Sequence, residues 1–84
     1  MKIYNNFCGN ENIKYVFYNE WSDPELIYKG VTFSAPIIEG DLYNMMLEEN
    51  LPDTQSQLAA YINNNIEWYL DECIIAADQA KAIF

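Results

Sequence analysis

The chain contains no histidine and no arginine, and only four lysines. Without His, the commonest general base and a leading transition-metal ligand are missing, and Ser-His or Cys-His nucleophile pairs cannot be built. Without Arg there is no bidentate clamp for a phosphate or carboxylate. Gly9, Gly30 and Gly40 stand too far apart to cradle a phosphate. Two cysteines, Cys8 and Cys73, lack metal or redox spacing. The acids of EGDLYN and EENLPDTQ lack the alternating register and closing Glu of a calcium loop. Paired carboxylates could do glycosidase chemistry only within a cleft, which a chain of 84 residues rarely supplies. These absences predict a protein that is not an enzyme and that uses no metal and no cofactor.

A secretory leader, with its basic start and apolar run, is also missing, as is any run near the ~20 apolar residues of a membrane helix. The expectation is a cytoplasmic protein with two free thiols, a single Cys8–Cys73 disulfide being the alternative. With 51% hydrophobic and 15% aromatic residues, the chain is too apolar for disorder and is read as a single domain, residues 1–84.

What is present in excess is negative charge. Thirteen acids give a net charge of −9, distributed unevenly. Residues 1–29 hold three Lys and four acids, for −1; residues 30–80 hold nine acids and no base, for −9; Lys81 returns +1. Direct binding to nucleic acid needs Lys and Arg to displace counterions from phosphates, so it is disfavoured, as is an anionic membrane surface. A basic protein partner is favoured, through electrostatic steering.

The N-terminal half has the alternation and turns of strands. In MKIYNNF, Ile3 and Phe7 oppose Lys2, Tyr4 and Asn6; CGNEN turns the chain into IKYVFYNEW. There Ile13, Tyr15 and Phe17 point one way, and Lys14, Val16 and Tyr18 the other. After the break at SDP, ELIYKGVTFSA gives two short strands about Lys29-Gly30. Helical spacing follows, with Ile38, Leu42, Met45 and Met46 on one side and Ser34 or Asp41 as the cap. Gly40 costs a helix about 1 kcal/mol, which places the regular part from near Asp41. A longer helix is predicted over residues 53–84, capped by Asp53, with Leu58, Tyr61, Ile62, Ile66, Tyr69, Leu70, Cys73, Ile74 and Ala77 as its apolar stripe. The predicted class is α+β: a small antiparallel sheet of three to four strands followed by two helices packed on one face.

The acids of the long helix suggest a binding face. Glu67 and Asp71 are four apart and Asp71 and Asp78 seven apart, so the three share one side, with Glu72 beside them. Like charges at that spacing cost an isolated helix roughly 0.2–0.5 kcal/mol per pair, and no Lys lies at i±4. Four helical residues advance about 6 Å, a step comparable to that between phosphates along a nucleic-acid strand. Glu48, Glu49 and Asp53 cluster at the turn between helices. Trp68 is out of phase with Ile66 and Leu70, so it falls at the edge or outside, where a Trp amid acids suits an interface anchor.

The small α+β layout, the base-free residues 30–80 and the segment EWYLDECIIAAD resemble the small acidic inhibitors that phages and mobile elements use against host defences, of the anti-CRISPR and anti-restriction type. That resemblance implies stoichiometric blocking of a basic nucleic-acid-processing protein, such as an RNA-guided nuclease, by charge mimicry. Ten Asn and ten Ile against no Arg fit a low-GC bacterium or its phage. The alternative function is an interaction or assembly module that pairs as a homodimer through a sheet edge or the aromatic stripe.

Overall fold

A computed structural model describes residues 1–83, with side chains through Gln79; Phe84, the end of the predicted long helix, lies outside the described residues. Strands β1 (Lys2–Tyr4), β2 (Lys14–Phe17), β3 (Glu25–Tyr28) and β4 (Val31–Ser34) precede helices α1 (Ala35–Glu48) and α2 (Gln55–Ile83). The strands form one antiparallel meander in the order β1-β2-β3-β4. This is the α+β arrangement expected from the sequence.

The register shows which residues share a face. Tyr4 opposes Tyr15, Tyr15 opposes Leu26, and Leu26 opposes Phe33, so this row lies on the helix side. Ile3 opposes Val16 on the other side. The expected pairing of Ile3 with Phe7 on one face is therefore overturned. β1 ends at Tyr4, and Phe7 belongs to the following turn, where it bridges Asn10 and is buried in the core. A period-2 count does not survive a turn, because the turn resets which way each side chain points.

Two turns in the N-terminal half need left-handed backbone. Lys29 (φ 52°) and Gly30 (φ 75°) both have positive φ, the condition of the tight two-residue hairpin between β3 and β4. Cys8 (φ 50°) and Gly9 (φ 84°) do the same between Phe7 and Asn10.

Helix α1 starts at Ala35, six residues earlier than expected from Gly40. Pro36 in its first turn has no N–H to leave unpaired, and the Ala35 N–H donates to the Pro24 carbonyl at 3.0 Å. Ser34 occupies the cap position without a side-chain bond. Ile38, Leu42 and Met46 are buried, with Met45 packed against them.

Helix α2 is capped by Thr54 rather than Asp53. The Thr54 Oγ1 accepts from the Gln57 N–H at 3.1 Å, and the Leu58 N–H donates to the Thr54 carbonyl at 2.9 Å. The Asn63–Asn65 run leaves the helix unbroken: Asn63 Nδ2 donates to the Cys8 carbonyl, and Asn65 Nδ2 to the Tyr61 carbonyl at 2.9 Å. Tyr61, Ile62, Ile66 and Leu70 are buried, while Leu58, Tyr69 and Ile74 pack at the margin. The stripe stops there. Ala77, counted as core from its spacing, is exposed, as is every residue from Ile75 to Gln79. At 1.5 Å per residue, 29 residues span about 43 Å, close to the 41 Å long axis of the molecule, so α2 outruns the sheet it packs on.

Candidate functional site

The eight residues singled out by charge and phase fall into three environments. On the flank of α2 that turns toward the sheet, carboxylates are taken up internally. Asp71 Oδ1 accepts from Lys29 Nζ at 2.8 Å and from the Tyr28 hydroxyl at 2.9 Å. The Lys29 ammonium, helped by Tyr28, holds the Asp71 carboxyl below its usual range, and Asp71 in turn raises Lys29. Glu67 Oε1 accepts from Asn12 Nδ2 at 2.6 Å. No base lies one helical turn from Asp71 along α2, and the one it pairs with is supplied from the β3–β4 turn. Glu67, Asp71 and Asp78 therefore do not form one continuous row of equally available charge.

At the turn between helices, Glu48, Glu49 and Asp53 are all exposed. The neighbouring Asp53 carboxylate raises the Tyr43 phenol above its ordinary range. Tyr61 is raised by burial first and then by the Glu49 charge. Tyr69, also raised, donates to Asp41 across the α1–α2 seam. Tyr18 is raised by the neighbouring Glu25 carboxylate. Tyrosine hydroxyls thus act here as the donors that Arg would otherwise provide, fixing carboxylates without adding positive charge.

The outer face of α2 is different. Trp68 is 57% exposed, Glu72 and Asp78 are exposed, and Ile75 is 48% exposed. Trp68, Glu72 and Ile75 stand at i, i+4 and i+7, so they share one side of the helix, with Asp78 one turn past Ile75. Two large apolar side chains rimmed by acids occupy solvent. Ile75 escaped the sequence reading because it was not counted in the apolar stripe, although its seven-residue spacing from Trp68 was a usable signal.

Further apolar surface lies at the far end of the sheet. An open groove of about 380 Å³ is lined by Met1, Lys2, Tyr4, Phe17, Tyr18, Asn19 and Glu20. Trp21, at 90% the most exposed large apolar residue among the described residues, sits on a turn fastened by Asn19 Oδ1, which accepts from the Trp21 N–H at 2.8 Å and the Ser22 N–H at 3.0 Å.

Cys8 and Cys73 are free thiols, with burial and the nearby Glu39 pushing Cys8 up. Among the described residues, no group of three His, Cys, Asp or Glu gathers as metal ligands, and no helix is long and apolar enough to cross a membrane. No protein-family profile matches the chain, and no curated protein or solved structure is significantly similar to it.

Proposed function

We propose that the protein is a non-catalytic inhibitor of the anti-CRISPR or anti-restriction type, whose α2 outer face occupies a basic nucleic-acid-binding surface of a host defence nuclease. The observation that carries this reading is the exposed Trp68–Ile75 pair rimmed by Glu72 and Asp78, in a chain with a net charge of −9. A partly exposed Trp gives an anchor that fills a pocket, and the acids give it a rim matched to Lys and Arg. Their charges also reproduce the electrostatic character of the displaced phosphates.

The interior contacts narrow the binding set. Engaging Asp71 would require a partner to compete with Lys29 and Tyr28, and engaging Glu67 would break its bond to Asn12. Trp68, Glu72 and Asp78 are therefore the central contacts, with Glu48, Glu49 and Asp53 as an outlying acidic rim.

Binding to a panel of RNA-guided nucleases and restriction enzymes, measured across a salt series, tests the proposal. Affinity for the target should fall steeply with ionic strength and with prior loading of nucleic acid. Trp68→Ala should weaken it by roughly 30-fold, the scale of a 2 kcal/mol hot spot. Affinity insensitive to salt, or retained after Glu72→Lys and Asp78→Lys together, overturns charge mimicry.

A further inference from the structure

Strand β1 forms one border of the sheet, with β2 on its inner side, and all three of its residues are exposed. Exposed edges are templates for pairing, which proteins commonly block with Pro, bulges or charge. β1 has no Pro, and its register with β2 runs without a bulge. Its single charge is Lys2. Around it, Met1 (78%), Ile3 (50%), Tyr4 (49%), Tyr18 (43%) and Trp21 (90%) are exposed.

We propose that this edge pairs two copies of the chain, β1 against β1 in antiparallel register about a two-fold axis at Ile3. The occupant is a second copy for two reasons. The first is charge. Two molecules of −9 repel, and they meet with least repulsion through residues 1–29, which carry −1, rather than through residues 30–80, which carry −9.

The second is the register itself. A two-fold axis perpendicular to the sheet pairs residues of the same face, so the centre of symmetry must fall on a residue. Centred on Lys2, the pairing sets ammonium against ammonium. Centred on Ile3, it sets Ile3 against its own copy and Lys2 against Tyr4 of the other strand, twice. Each Lys2 then lies beside an aromatic ring on the helix side, where a cation and a π face attract. Tyr4 already leans on Phe17, edge to face at 6.1 Å, so its ring is held in place for that contact. Met1, Ile3, Tyr4, Tyr18 and Trp21 supply exposed apolar side chains beside this edge for the pairing to bury. The result is a continuous eight-stranded sheet with both pairs of helices on the same side.

Sedimentation and light scattering of the isolated protein over a concentration series test this without any target, so the result is independent of the inhibitor proposal. A reversible species of twice the 9.8 kDa chain mass is expected. Ile3→Lys should raise its dissociation constant at least tenfold while far-UV circular dichroism stays native. Tyr4→Lys, which faces Lys2 of the other copy, should also dissociate it, and Lys2→Glu added to Tyr4→Lys should restore pairing. A monomer at every concentration overturns the proposal, including the case in which only a target strand adds to this edge. So does a dimer indifferent to Ile3→Lys, or a failure of the double variant to rescue.

Discussion

On the sheet-facing flank of α2, Glu67 and Asp71 end on Asn12, Tyr28 and Lys29; on the outer flank, one residue along, Glu72 ends in solvent beside Trp68 and Ile75, and Asp78, in line with Asp71 but past the end of the buried stripe, is exposed as well. The residue types are nearly the same. Between Asp71 and Glu72 the difference is a rotation of about 100° about the helix axis, which decides whether a lysine from a hairpin can reach; Asp78 keeps the phase of Asp71 but lies where the helix has outrun the sheet. Local repulsion within the base-free segment is relieved on one flank by a residue forty-two positions away in sequence. Among the described residues no such relief reaches the other flank. The acids of the first flank fasten the helix, and those of the second are available to a partner.

The largest effect should come from removing the seam on which both flanks depend. Leu70 is fully buried between them, and Leu70→Ala should cost about 2–5 kcal/mol by urea denaturation. In a domain of this size, such a loss approaches total stability.

A smaller and more discriminating pair is Asp71→Asn against Glu72→Gln. The first should lower the urea midpoint, because Lys29 and Tyr28 lose their charged acceptor, and the second should leave it unchanged. The pH dependence follows from the signs of the shifts. Asp71 is lowered from 3.8, so its contribution is complete above that value and is lost as pH falls through the lower folded value. Lys29 is raised from 10.5, so its contribution is complete below that value and is lost as pH rises through the higher folded one. The gap between wild type and Asp71→Asn should therefore be flat across neutral pH and close at both extremes.

Tyr69→Phe tests whether phenols stand in for Arg. Losing the donor to Asp41 should cost about 1–2 kcal/mol, measured by thermal or urea unfolding.

The smallest effect is expected at Glu39, a carboxylate whose environment resembles neither flank of α2. Burial raises it from 4.5, so its ionised form opposes folding, and stability gained through this group grows as pH falls toward 4.5. Glu39→Gln should raise the melting temperature at pH 7, with the gain shrinking as the medium is acidified.

Much of the architecture was legible because it rests on local periodicity. The alternation of Tyr15 and Phe17 against Val16, the hairpin at Lys29-Gly30 and the stripe from Tyr61 to Ile74 each express a repeat of 2 or 3.6 that burial imposes directly. Misreadings came where a longer-range contact set the outcome. α1 extends back to Ala35 because the carbonyl of Pro24 accepts its first N–H. Ala77 keeps the helical phase but has no sheet beneath it, because α2 is longer than the layer it covers.

For the candidate site, Trp68 was identifiable from its phase alone, since no rotation can bury it together with Ile66 and Leu70. The fate of each acid was not. The sequence by itself determined the excess of negative charge, its confinement to the second half, and the lack of His and Arg. Only the tertiary structure decided which carboxylates are held and which are offered. Charge is additive along a sequence, but neutralisation requires two groups to come within about 3 Å, and that distance is set by how the chain packs.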